Sequence, residues 1–416
     1  MDILRFITAG SVDNGKSTLI GRLLYDTKNI LADQMNAIEK ASKSRNNGEV
    51  DLALLTDGLR SEREQGITID VAYKYFQTPN RKFISIDAPG HTQYTRNMVT
   101  GASNADLAII LIDARLGVIE QTKRHSLIAA MLKIPYIVVA INKMDLVDFS
   151  EDVYLNIARE YKDLAEKLKI DNLRIIPVSA LGGDNVVDKS KNMPWYDGEP
   201  LLTVLETANV HRGTIDLAPR FPVQYVLRPQ SAELHDYRGY AGRLLSGQLK
   251  KGDRITVLPS GLSSTIARLE VYGEEVEEIL ASQSATLLLT DDIDISRGDL
   301  IVGEQDQPVP TQDIASLVCW MDDRKELKPG NKYLLQHGTT RVRCSVKQID
   351  YRVDINTYVQ EDQVDSLKLN DVAKIIIRTA QPLAFDPYSI NRANGGAILI
   401  DETSNVTVGA CMLEEA

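Results

Sequence analysis

Along the first half of the chain, short uninterrupted apolar runs alternate with stretches whose apolar residues recur at helical spacing. The runs are Ile3–Thr8, Phe83–Ile86, Leu107–Ile112, Tyr136–Ile141 and Arg174–Val178. A strand covered on both faces reads as a continuous hydrophobic run, so this pattern predicts a mostly parallel sheet flanked by helices over residues 1–210. Sheets of that kind bind ligands at the carboxyl ends of their strands. Past Ala218-Pro-Arg-Phe-Pro222, which reads as a linker, the pattern changes to alternating segments split by turns, as in Gly242–Leu258. Gln305-Asp-Gln-Pro-Val-Pro310 reads as a second linker, followed by strand-like runs at Val342–Tyr351, Ala373–Arg378 and Ala397–Asp401. The expected fold class is therefore α/β followed by all-β: a nucleotide-type domain over 1–210, then two antiparallel β-barrels over 219–308 and 312–416.

Composition narrows the setting. The chain has 416 residues, more than one hydrophobic core usually supports, which agrees with several domains. Its formal net charge of -11 argues against a broad basic surface for DNA or RNA. Cys319, Cys344 and Cys411 lie far apart without a CxxC pair, so neither a disulfide framework nor a zinc site is indicated. No apolar stretch approaches the roughly 20 residues needed to cross a bilayer, and the first strand-like run leaves no room for a cleavable signal. These features read together as a cytoplasmic protein with no membrane association.

The chemistry sits at the ends of the predicted strands. Gly10-Ser11-Val12-Asp13-Asn14-Gly15-Lys16-Ser17 fits GxxxxGK[ST], follows a strand and opens a helical run at Thr18. Glycines let such a loop curl so that its N–H groups face phosphate oxygens; Lys16 is placed to reach the β- and γ-phosphates and Ser17 to bind Mg²⁺. Asn142-Lys143-Met144-Asp145 follows the Tyr136–Ile141 strand. The Asp145 carboxylate can accept hydrogen bonds from both guanine N1–H and the exocyclic amine, a donor pair adenine lacks, while Asn142 bonds the base edge and braces the phosphate loop. Ser179-Ala180-Leu181 follows the next strand and resembles a loop whose backbone N–H reads guanine O6.

Two further stretches supply the hydrolytic parts. In Asp87-Ala-Pro-Gly90-His91, Asp87 is suited to hold Mg²⁺ through a water, Gly90 to sense the γ-phosphate through its N–H, and His91 to orient the attacking water. Thr68, in Gly66-Ile-Thr-Ile69, is the expected switch threonine on Mg²⁺ and the γ-phosphate. The site expected from the residues is thus GTP with Mg²⁺, with Lys16, Thr68 and His91 in catalysis and Ser17, Thr68 and Asp87 on the metal. Asp13 is either a ligand for a monovalent cation beside the phosphates or a solvated loop carboxylate. The other histidines, His125, His211, His235 and His337, lack ligand spacing and are assigned no chemistry.

A GTPase domain with Gly-Ile-Thr-Ile, Asp-Ala-Pro-Gly-His and Asn-Lys-Met-Asp followed by two β-barrels resembles the translational elongation factors Tu and 1-alpha. Closer in detail, Ile20–Asp26, Glu64–Tyr73, Gln93–Met98, Met193-Pro-Trp-Tyr196, Arg238–Gly242, Val257–Gly261 and Asp294–Asp299 resemble the GTPase subunit of bacterial sulfate adenylyltransferase (ATP sulfurylase) over nearly the whole chain. Elongation factors commonly carry His and Arg where this chain has Ser11 and Gln65, and Asn14 stands where the sulfurylase pattern commonly has a second aspartate. The resemblance implies that GTP hydrolysis here drives formation of adenosine 5'-phosphosulfate and pyrophosphate from ATP and sulfate. It also implies a heterodimer with a smaller, ATP pyrophosphatase-type subunit that performs adenylyl transfer. The transfer loop of that partner is of Ser-Gly-Gly-x-Asp-Ser type, and the similar Gly182-Gly-Asp184 lacks the final serine. Some relatives are fused at the C-terminus to an adenylylsulfate kinase, whose second phosphate loop does not occur before Ala416. The competing expectation is an elongation-factor-like carrier of aminoacyl-tRNA.

Overall fold

The structure is a computed structural model that describes residues 2–30, 52, 70–91, 95–209, 214–229 and 237–416. The chain divides into two compact units, Met1–Val210 with Ile355–Tyr358, and His211–Asp354 with Val359–Ala416.

In the first unit, strands β1 (Ile3–Ala9), β2 (Ala72–Gln77), β3 (Lys82–Asp87), β4 (Leu107–Asp113), β5 (Tyr136–Asn142) and β6 (Leu173–Pro177) form one sheet in the order β2-β3-β1-β4-β5-β6. All neighbours are parallel except β2 and β3, which pair antiparallel. The helices are α1 (Lys16–Asp26), α2 (Thr95–Ala102), α3 (Glu120–Met131), α4 (Glu151–Lys167) and α5 (Leu201–Thr207). All seven residues of β4 are buried, which is why its sequence shows no alternation. Phe6, Phe83, Leu107, Ile109 and Leu111 of the sheet share one core with Leu19, Ile20 and Leu23 of α1. Because β1, β3, β4, β5 and β6 run parallel, their carboxyl ends lie at one edge, where the described nucleotide-motif residues follow β1, β3, β5 and β6.

In the second unit, β7 (Arg220–Leu227), β8 (Gly239–Arg243), β9 (Gln248–Lys250), β10 (Arg254–Leu258), β11 (Leu262–Val271), β12 (Glu274–Val276), β13 (Glu278–Leu280), β14 (Ser284–Leu289) and β15 (Leu300–Gly303) build the first barrel. Its ring runs β10-β15-β7-β8-β14-β11 and closes through β10–β11. The second barrel contains β16 (Thr311–Trp320), β17 (Lys332–His337), β18 (Thr340–Val353), β19 (Gln360–Asp362), β20 (Val372–Leu383), α6 (Arg392–Gly395), β21 (Gly396–Ile400) and β22 (Thr407–Glu414). It closes through β17–β18 in the ring β17-β21-β22-β16-β20-β18. Closure pairs every ring strand on both sides and so removes the exposed edges of an open sheet.

The stretch Ala218–Pro222 is not a free linker. Strand β7 begins at Arg220, because Phe221 fills the first barrel's core opposite Ile301 and Arg220 is drawn into a polar lock with the second barrel. Asp386 accepts from Arg220 Nε at 2.9 Å and Nη2 at 2.8 Å, and from Asn394 Nδ2 at 2.8 Å; Asn391 Nδ2 bridges to Ser246 Oγ at 3.0 Å. Arg220 is 2% exposed, so this cation is stabilised by its partners rather than by water.

Candidate nucleotide site

The loop between β1 and α1 turns sharply because Asp13 and Gly15 adopt positive φ, 64° and 87°. A side chain at Gly15 would also place its Cβ 2.5 Å from Asn142 Nδ2, so this position needs glycine for both conformation and space. Lys16, 6% exposed, folds back so that Nζ donates to the carbonyls of Gly10 at 3.0 Å and Ser11 at 2.9 Å. Burial lowers its pKa, against the raising influence of Asp87 and Asp13. A phosphate arriving here supplies a desolvated amine with a strong counter-charge. Val12 lies in the same loop, and Thr18 follows in the first turn of α1. Asp13 is exposed.

Asn14 is buried, and its Nδ2 donates to the Leu111 carbonyl on β4 at 2.9 Å. This position is therefore a donor that ties the loop to the sheet, a role that an ionised aspartate, which only accepts, cannot fill.

At the end of β3, Asp87 accepts from Ser17 Oγ at 3.2 Å and from Thr8 Oγ1 at 3.0 Å. The hydroxyl and the carboxylate thus face each other beside the phosphate loop, a set of hard oxygen donors suited to Mg²⁺ once phosphate oxygens and waters complete its shell. Thr68 lies outside the described residues. Gly90 presses onto the loop: a Cβ there would sit 2.6 Å from both Lys16 Nζ and Gly10 O, and 2.8 Å from Val12 N. Only glycine fits that approach. The next residue, His91, is exposed.

The ends of β5 and β6 form the other half of the site. Asn142, 2% exposed, donates from Nδ2 to the Asn14 carbonyl at 2.8 Å, while its Oδ1 accepts from Ala180 N–H at 2.9 Å. One side chain thereby joins the phosphate loop to the loop after β6. Asp145 accepts from Ser179 Oγ at 2.6 Å, and the same hydroxyl accepts from Gly182 N–H at 3.1 Å. Lys143, with φ 64°, pairs with Asp113 at 3.0 Å. Burial alone would raise the Asp113 pKa, but the Arg115 and Lys143 bonds outweigh it and hold the carboxyl below its usual range. Asp145, Ser179 and Leu181 line a cavity of about 650 Å³ together with Arg22, Tyr25 and Phe149.

Arg22 escaped the motif reading. It projects from α1, its Nε donates to the Ala180 carbonyl at 3.1 Å, a second nitrogen donates to the Leu181 carbonyl, and it pairs with Asp26 at 3.5 Å. It holds the base loop from behind. The stretch Met193–Tyr196 likewise closes this end of the unit: Trp195 Nε1 donates to the Phe149 carbonyl at 3.1 Å, and its ring lies 5.3 Å from that of Tyr154.

The GxxxxGK[ST] loop, Asp87 and the loops after β5 and β6 at one sheet edge, with two closed barrels following in the chain, have the arrangement of a translation-factor-like GTPase. Residues 1–218 match the Elongation factor Tu GTP binding domain, and residues 313–414 match the GTP-eEF1A C-terminal domain-like family. Whole-length relatives narrow this. The chain is 51% identical over 415 residues to sulfate adenylyltransferase subunit 1 of Aeromonas hydrophila subsp. hydrophila, covering 99% of this chain and 86% of that one. It is 52% identical to sulfate adenylyltransferase subunit 1 of Salmonella typhi, with 99% and 86% covered. To the bifunctional enzyme CysN/CysC of Mycobacterium tuberculosis the identity is 48%, over 99% of this chain and 67% of the relative. The chain belongs to the sulfate adenylyltransferase subunit 1 family of GTPases. Among solved structures, sup35 complexed with GDP aligns with TM-score 0.46 and 20% identity over 100% of this chain and 94% of that one.

Proposed function

We propose that this chain hydrolyses GTP as the GTPase subunit of a sulfate adenylyltransferase, and that the hydrolysis drives formation of adenosine 5'-phosphosulfate and pyrophosphate by a smaller adenylyl-transferring partner. The observation that carries the nucleotide reading is Asn142, whose two bonds couple the loop for the phosphates to the loop for the base. Asp145 selects guanine through its two acceptor oxygens, and Lys16 meets the β- and γ-phosphates. Ser17, Asp87 and Thr68 would hold Mg²⁺, which when bound neutralises charge on the phosphate oxygens. His91 orients the attacking water, and Gly90 N–H senses the γ-phosphate.

The coupling answers a chemical need. The sulfate–phosphate anhydride is less stable than the ATP bond it replaces, so its accumulation requires a second exergonic reaction. A partner can be driven by GTP hydrolysis only if it distinguishes the states of the loops around Thr68 and His91, since differential affinity is what shifts such an equilibrium. The chain alone should turn GTP over slowly and make no phosphosulfate, and the smaller subunit should associate with it in gel filtration and raise its turnover. Failure to associate together with phosphosulfate formation unchanged by GTP would end this reading, and tight salt-sensitive tRNA binding would put that of an aminoacyl-tRNA carrier in its place.

A further inference from the structure

The carbonyl of Gly90 points to two side chains on α3 that the nucleotide motifs do not include. Gln121 Nε2 donates to Gly90 O at 3.1 Å and lies 2.9 Å from His125 Nε2. The two contacts determine each other. A carbonyl oxygen only accepts, so Gln121 has to present its amide nitrogen, not its oxygen, to Gly90. That nitrogen has one hydrogen left for His125, whose Nε2 must then accept. The imidazole is accordingly neutral, with its proton on Nδ1.

Its surroundings agree with a neutral ring. His125 is 2% exposed, and desolvation, with Lys16 and then Arg124 adding positive charge nearby, pushes its pKa down to about 3. Nδ1 is buried and meets no hydrogen-bond partner among the described residues, so the ring is retained at a cost that an apolar side chain would avoid. The compensating contact is the one to Gln121, four residues earlier on the same face of α3. Gly90, for its part, has the backbone freedom of a glycine and lies hard against Lys16 and the phosphate loop. The Gln121 bond to its carbonyl constrains the orientation of the peptide that follows it.

We propose that Gln121 and His125 are positioning residues for GTP hydrolysis: His125 orients the Gln121 amide, the amide holds the Gly90 carbonyl, and the fixed Gly90–His91 peptide aims the His91 side chain. The inference rests on the role of His91 given above. It assigns the pair to the hydrolytic step rather than to nucleotide binding, because neither side chain belongs to the base loop or to the phosphate loop.

The test compares the full chain with Gln121→Leu, which removes both hydrogen bonds, in GTP turnover, GDP affinity and thermal unfolding. In Gln121→Leu kcat should fall about threefold to tenfold, the rate equivalent of about one hydrogen bond, while GDP affinity stays within about twofold. His125→Leu should reproduce the loss, and His125→Gln, which offers a carbonyl oxygen to the same amide, should recover most of it. An unchanged kcat in Gln121→Leu overturns the inference, as does a loss matched by an equal fall in GDP affinity or left unrecovered by His125→Gln. His91→Ala, run in parallel, separates the two levels. If it hydrolyses GTP normally, the role of His91 fails; if it is slow while Gln121→Leu is normal, only the positioning role fails.

Discussion

Replacing Asn142 by Ala cuts a side chain that ties the loop after β1 to the loop after β6. In the wild-type chain its amide donates to the Asn14 carbonyl at 2.8 Å and accepts from the Ala180 N–H at 2.9 Å, in a position 2% exposed. Truncation leaves a buried carbonyl and a buried N–H facing a small void. Each unsatisfied group of this kind costs about 1–3 kcal/mol, so the gross loss is on the order of 2–6 kcal/mol. Part of it is absorbed by relaxation of the free protein and appears as lower stability of the first unit. The share that remains in the complex should still weaken GDP binding by at least about tenfold, equivalent to about 1.4 kcal/mol. The brace does not touch the γ-phosphate region, so GTP and GDP should weaken by the same factor. Titration with fluorescent analogues of both nucleotides, alongside denaturant unfolding, measures the two shares. GDP affinity within about twofold of wild type, or a loss confined to GTP, would refute the brace.

Three further substitutions probe separate parts of the molecule. Asp145→Asn should lower GTP affinity and raise the relative affinity for xanthosine triphosphate, because an amide can donate to the xanthine oxygen where a carboxylate only accepts; competition binding with the two nucleotides decides it. His91→Ala should keep GDP binding and lose at least about tenfold in kcat, since a residue that orients water acts in the transition state more than in the ground state; a single-turnover assay with normal rates would return His91 to a structural role. Asp386→Ala leaves the buried Arg220 guanidinium with carbonyl partners at Pro219 and Asp306 and only the exposed Asp306 carboxylate, at 3.5 Å, as counter-charge. It should destabilise the barrel unit by about 3 kcal/mol, and the double variant Arg220→Met with Asp386→Leu should recover much of this in urea unfolding, whereas an unshifted midpoint for Asp386→Ala would show that the lock contributes nothing.

What the sequence made legible were features whose chemistry is local. The runs at Leu107–Ile112 and Tyr136–Ile141 became β4 and β5 with one residue added to each, because strands buried on both faces leave a continuous apolar record. Asn142 was readable as a brace from its place in Asn-Lys-Met-Asp straight after a strand, and its amide does donate to the Asn14 carbonyl. Contacts made across long separations left no such record. Asn14 looked like a lost charge, and only the fold reveals that its amide meets Leu111. Arg22 is an ordinary helical arginine until α1 is laid against the loop after β6. His125 was set aside for lack of ligand spacing, a criterion that detects metal pairs and is blind to a histidine that accepts from a glutamine. Arg220 and Asp386 are 166 positions apart, so the segment that reads as a proline-rich linker is the start of a strand held by a distant carboxylate.

GTP hydrolysis on this chain is proposed to drive sulfate activation on its partner. The most direct measurement is the yield of adenosine 5'-phosphosulfate from ATP and sulfate, with both subunits present, as GTP is compared with a non-hydrolysable analogue and with no nucleotide. With GTP the yield should rise above the uncoupled equilibrium and fall back when GTP is exhausted. The analogue should leave it at that equilibrium even if the subunits assemble. A yield that is the same in all three reactions would contradict the claim.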